Sequence, residues 1–284
     1  MINVLPTLSL AAFGGFLLAG KAAIAQTAAG WDYAIDSFND GVNGSQVGGS
    51  AYEFFGMAFK EEGDNLFIAL NANLPLTGAN APFALDGVVS WGDLFFNFSG
   101  NDFSLASTQG SLYAIRFAQS NNSNVPTLGV YRNVTATSVT SINSGFSSLS
   151  SYNNYVQSAG KTPSLADLPA NTSYFNQTGP VLNAIATGNF VTGISFLDST
   201  QLNQLGLNFN QFGATGSQTI GFSFDRTALP AGNFLANIFA ECANDGMVLL
   251  GETQSVPEPL TLLGSLVGAG LIGFRQRNKR NQIG

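Results

Sequence analysis

Thr219-Ile220-Gly221-Phe222-Ser223-Phe224-Asp225 puts Ile220, Phe222 and Phe224 on one side of an extended chain and the smaller or polar residues on the other. Successive side chains of a strand point to opposite faces, so this period of two marks a strand half buried against a core. The same pattern recurs on either side. Leu66, Ile68 and Leu70 alternate between Asp64 and Asn71, and Leu94, Phe96 and Phe98 share a face after Asp93. Residues 52–59, 111–118, 130–134, 190–197 and 234–239 read the same way. Turn-forming clusters separate them: Glu61-Glu62-Gly63-Asp64, Gly78-Ala79-Asn80, Ser99-Gly100-Asn101 and Asn121-Asn122-Ser123-Asn124. The expected class is all-β, an antiparallel sandwich or jelly roll whose core is filled by many of the 24 Phe.

Two short helices interrupt this pattern. Asp198 is placed to cap a helix through Thr200-Gln201-Leu202-Asn203-Gln204-Leu205, ended by Gly206. Pro180 is placed to open another through Val181 to Ala186, ended near Gly188. Residues 141–176 are rich in Ser, Asn and Tyr with weak periodicity and read as long loops. No repeat of 20–50 residues appears, which argues against a solenoid or propeller.

Composition narrows the chemistry. Charged residues make up 10% of the 284, well below the roughly 25% usual for a globular protein. The surface must therefore be built from Asn, Ser, Thr, Gln and Gly, as suits an extracellular β-protein. Between Asp32 and Glu258 lie all 17 acidic residues but only five of the 10 basic ones, a net charge of −12. Such a body repels nucleic acid and anionic membranes and attracts cations. With 0 His, Ser-His-Asp triads, Cys-His dyads and His-ligated metal sites are excluded. The single Cys242 cannot form an internal disulfide and has no basic neighbour to activate it, so it reads as a small buried hydrophobe.

The two ends read as addresses. An apolar stretch from about Val4 to Ala19 is followed by Ala23-Ile24-Ala25 before Gln26, an A-x-A cleavage pattern, although no Lys or Arg precedes the stretch. At the other end Val256-Pro257-Glu258-Pro259 precedes an uncharged, mostly apolar run from Leu260 to Phe274, then a basic cluster of Arg275, Arg277, Lys279 and Arg280. A helix over that run would be about 22 Å long, short of a hydrocarbon core of about 30 Å, and the basic cluster would hold its end on the cytoplasmic side. The prolines leave an extended segment just before it.

Taken in that order, the three parts resemble the PEP-CTERM sorting signal, with Pro257, Glu258 and Pro259 matching its motif. The resemblance implies processing by an exosortase, a membrane cysteine protease, and delivery to the cell surface or extracellular polymer matrix. The body is similar to a family of cyanobacterial exosortase-dependent surface proteins. The similar blocks are residues 31–40, Tyr52-Glu53 with Gly56-Met57-Ala58, residues 71–78, Trp91 to Phe98, and Glu241-Cys242-Ala243-Asn244-Asp245. It departs at Ala243, where the family pattern has Gly. This implies a surface address and no particular activity. The expected organisation is a signal peptide over 1–25, an exported β-domain over 26–254 and a sorting signal over 255–284. The sortase-like Leu74-Pro75-Leu76-Thr77-Gly78 lies mid-chain, without a hydrophobic segment and basic tail behind it, and reads as an ordinary turn.

The candidate chemistry in the body is sparse. Asp32, Asp36, Asn39, Asp40 and Gly41 could cradle Ca2+, which takes carboxylate and carbonyl oxygen. An EF-hand loop fails, because Phe38 and Val47 occupy ligand positions three and twelve. A different site could draw on Glu241, Asn244 and Asp245, against the alternative that all these residues serve turns and strand ends. Glu53, Glu61 and Glu62 flank a strand and a turn and read as solvated; they do not single out a glycosidase pair. Trp31, Trp91, Tyr152, Tyr155 and Tyr174 could stack on sugars but more commonly fill a β-core. The expectation is a structural or interaction protein of the surface or matrix and not an enzyme. Its partners would be the secretory translocon, an exosortase-like membrane protease and the membrane through residues 260–274. The alternative is a polysaccharide-binding module using Ca2+.

Overall fold

The computed structural model describes residues 26–255. Two six-stranded antiparallel sheets form, as the alternating segments require. In chain order the strands are β1 (Gln26–Ala28), β2 (Trp31–Ile35), β3 (Phe54–Glu62), β4 (Asn65–Ala72), β5 (Leu94–Asn97), β6 (Leu112–Arg116), β7 (Gly129–Thr137), β8 (Ala184–Thr192), β9 (Ser195–Leu197), β10 (Gln218–Asp225), β11 (Gly232–Phe239) and β12 (Gly246–Thr253). Sheet one runs β1-β2-β3-β4-β10-β9 and sheet two runs β8-β7-β6-β5-β11-β12. Each is a four-stranded meander with one later antiparallel pair of strands added beside β4 or β5. Within each sheet the pairings are sequential apart from β4–β10 and β5–β11.

The apolar faces of the two sheets share one core. Phe59, Ile68 and Phe222 of sheet one join Phe96, Ile115 and Phe234 of sheet two in a single buried cluster. Aromatic pairs cross between them: Phe59 meets Phe234 at 5.0 Å, and Phe54 stacks on Trp91 at 4.4 Å. The outer faces are covered as well. Over sheet two lie α1 (Phe103–Thr108), the start of α2 (Leu149–Ser158) and residues from Leu165 to Val181. Over sheet one lie α3 (Ser199–Gln204) and a 3-10 turn at Phe209–Phe212. Cover on both sides explains why residues 54–59 of β3 are all buried and read as a nearly unbroken apolar run.

Several local expectations change. Asp198 caps α3 as its sequence indicates, accepting from Gln201 N at 2.9 Å. Residues 181–186 are not a helix: Ala184 to Thr192 is β8, paired with β7. A short apolar run cannot separate helix from strand by itself, and the sheet decides it here. The loop expected over 141–176 contains α2, started by a capping box in which Ser148 and Ser151 exchange side-chain and backbone bonds. The single strand expected over 190–197 is two: β8 belongs to sheet two and β9 to sheet one, with Gly193 and Ile194 at the corner. Gly78 N donates to Pro75 O at 2.9 Å, so the sortase-like stretch is a turn.

The outer edge of β12 is not bare. Val248 N donates to Leu165 O, Asp167 N donates to Val248 O, and Leu250 N donates to Asp167 Oδ2 at 2.9 Å. No helix among the described residues is long and apolar enough to cross a membrane. The cleavage residues Ala23 and Ala25, the motif Val256 to Pro259, the apolar run 260–274 and the basic residues Arg275, Arg277, Lys279 and Arg280 lie outside the described residues; Gln26 begins β1.

Candidate metal centre

Three buried carboxylates converge where β2 ends and the β11–β12 turn closes. Asp36 follows β2 directly, Asp40 lies in the loop leading to β3, and Asp245 is the residue before β12. They are 5%, 0% and 1% exposed, and each presents an oxygen within 4.8 Å of the others. Burying charge this completely is unfavourable without a partner. Neither ion pair among the described residues supplies one: they join Lys60 to Glu62 and Arg226 to Glu61.

The sequence folds locally to hold this geometry. Asp36 Oδ1 accepts from Ala166 N at 2.9 Å, and Asp40 Oδ2 accepts from Ser164 N at 2.6 Å, so the segment before β8 anchors one oxygen of each. Asp245 Oδ2 accepts from Phe54 N at 2.7 Å, at the start of β3, and its Oδ1 accepts from Gly246 N at 2.7 Å. Tyr152 of α2 directs its hydroxyl at Asp40 O, 3.1 Å away, with Asp245 Oδ1 at 3.4 Å. The other oxygens, Asp36 Oδ2 and Asp40 Oδ1, are buried without any hydrogen-bond partner.

Glu53 braces the loop, and its reading as a solvated acid is wrong: it is 0% exposed. Its two oxygens accept from Asp40 N and Gly41 N, each at 3.1 Å. The chain comes so near that a Cβ on Gly41 would lie 2.6 Å from Glu53 Cα, which only glycine permits.

Electrostatics follow from this burial. Desolvation, then the charge of Asp40, pushes Asp36 well above the usual carboxylate range. Desolvation raises Asp40 to about 6 against its hydrogen bonds. Asp245 is also held well above the usual range, by burial first and then by Asp40, Asp36 and Glu53. Burial raises Glu53 to about 7.

Other residues of the expected set lie elsewhere. Asp32 accepts from Thr27 Oγ1 at 2.8 Å, and Asn39 is exposed. Asn244 is a brace: Val42 N donates to its carbonyl at 2.9 Å and its Nδ2 donates to Val42 O at 2.7 Å. Ala243 adopts φ +51, a left-handed conformation that glycine takes up more readily than alanine. Glu241 turns away from the three aspartates. It accepts from Ser90 N at 2.9 Å and from Asn122 N, and burial raises it to about 7. Nearby, Asp93 accepts from Asn121 Nδ2 at 2.8 Å and Ile185 N at 2.6 Å, while Arg116 Nε donates to Asn121 Oδ1 at 2.9 Å. These two acids are satisfied by protein donors. Among the described residues, the orphaned carboxylate oxygens belong to the aspartate cluster.

Trp31, Trp91 and Tyr152 are buried in the interior, Tyr174 is half-buried, and Tyr155 is exposed. Cys242 is buried, and its thiol is pushed up to about 12. Among protein-family models, curated proteins and solved structures, nothing matches this chain.

Proposed function

We propose that this chain is an exported structural or interaction protein of the cell surface or extracellular matrix. It passes through the secretory translocon, loses residues 1–25, and is held briefly by residues 260–274. An exosortase-like membrane protease then processes it at Val256-Pro257-Glu258-Pro259. The working part is the β-sandwich of residues 26–254. The chain is the substrate of that reaction and performs no catalysis of its own.

The observation that carries this reading is the ordered trio at the C-terminus: Pro-Glu-Pro, a short uncharged apolar run, then four basic residues within Arg275 to Arg280. Two features of the domain support it. Its tryptophans are buried in the interior, and its sparse charge suits a wet extracellular surface.

Intact mass of the protein recovered from the surface of its native host tests the reading. A species beginning at Gln26 and ending between Val256 and Pro259 is expected. A mass retaining residues 260–284 would overturn the processing step.

A further inference from the structure

We propose that Asp36, Asp40 and Asp245 bind one hard divalent cation, Ca2+ by preference, which clamps the loop after β2 to the β11–β12 turn. The inference stands apart from how the chain ends are processed, because it rests wholly on residues of the β-domain.

Three observations combine. First, one carboxylate oxygen from each aspartate lies within 4.8 Å of the other two, the span one cation bridges when each oxygen is about 2.4 Å away. Second, Asp36 Oδ2 and Asp40 Oδ1 are buried with no donor, although nearly all buried polar atoms in proteins are hydrogen-bonded. In each aspartate the companion oxygen is held by a backbone N–H, so the orphaned oxygen is oriented, not free to rotate away. Third, neither ion pair among the described residues includes the cluster, which leaves its negative charge without a protein counterion.

The donor set selects the ion. Three carboxylates and no His or accessible thiol make an all-oxygen site for a hard cation. Mg2+ demands a regular octahedron at about 2.1 Å and retains most of its water, whereas Ca2+ accepts an irregular cage at 2.3–2.6 Å. A buried cage built from three separate segments suits Ca2+. Water or carbonyl oxygen completes its shell.

The test uses the full chain in a mild non-ionic detergent, stripped with chelator and then titrated with CaCl2 or MgCl2. Calorimetry is expected to show one Ca2+ per chain. At a hundredfold excess over Kd the Tm should rise by about 5–10 °C. One equivalent of Ca2+ that resists stripping, found by elemental analysis, supports the site equally. Asp40→Asn and Asp36→Asn keep shape while removing charge and should each weaken binding at least tenfold; Asp86→Asn should not. If Asp40→Asn fails to fold, Asp36→Asn carries the comparison. A wild-type chain without bound calcium, heat or Tm shift would overturn the proposal. So would unchanged affinity in both variants, and an equal response to Mg2+ would overturn the preference for Ca2+.

Discussion

Glu241 should make the folded protein lose stability as pH rises through neutrality. Its carboxylate accepts two backbone N–H groups, which favour the ionised form, but burial outweighs them and raises its pKa from the ordinary 4.5 to about 7. Asp86 and Asp93 face it and add to the rise, while the nearby Arg116, which donates to Asn121, acts on Asp93 and lowers it. Between these pH values the folded state binds more protons than the unfolded chain. The stabilisation is therefore fully present below about 4.5 and lost as pH passes about 7. At about 1.4 kcal/mol per unit the loss is roughly 3 kcal/mol. Glu241→Gln removes this titration and turns one amide N–H toward a backbone donor, costing about 1–3 kcal/mol at low pH. Urea unfolding of both full chains, in detergent and chelator, can be followed by the emission of the buried Trp31 and Trp91. Wild-type stability minus variant stability should fall by roughly 3 kcal/mol from pH 4.5 to 8, so that the variant equals or exceeds wild type at the higher pH. Parallel pH curves for the two proteins would show that Glu241 does not hold its proton in the folded state.

Other perturbations test the packing. Gly145→Ala would place a Cβ 2.0 Å from Cys242 O; a loss of at least about 3 kcal/mol is expected in the same unfolding assay. Trp91→Ala removes the ring stacked on Phe54 at 4.4 Å and the bond from Nε1 to Pro75 O at 3.1 Å, and should cost about 3–5 kcal/mol. Ser148→Ala breaks the capping box of α2 and should cost about 1 kcal/mol, read as a lower urea midpoint. The Cys242 thiol, buried and raised to about 12, should react with a thiol reagent only after denaturant is added.

The strands were legible where one face is apolar and the other polar, as in Ile220-Gly221-Phe222-Ser223-Phe224, because that contrast is local. Residues 181–186 misled because Pro180 and a short apolar run fit either a helix start or a strand; pairing with β7 settles the matter and is non-local. Helix α2 was hidden because its buried stripe is narrow: Leu149, Tyr152, Asn153 and Val156 lie among serines and asparagines. At the site, Asp36 and Asp40 stood out as a local acidic group, and Asp245 as a distant candidate. Glu53 was missed because an acid beside a strand ordinarily points to water. Its burial depends on the close passage of Gly41, for which the sequence carries only the glycine itself as a signal.

The segment that bonds to the outer edge of β12 bears on how copies of this protein meet at high concentration. An open strand edge recruits neighbouring chains by adding strands to the sheet, and long edges of this kind drive uncontrolled fibre growth. Here Leu165, Ala166 and Asp167 already occupy part of that edge, so β12 is screened from pairing with another molecule there. The opposite margins are less covered: β8 pairs only with β7 and leads through the corner at Gly193 and Ile194 to β9, and β1 offers three residues. Shared backbone is thus blocked along the part of β12 that Leu165 to Asp167 occupy, and contacts there are left to side chains.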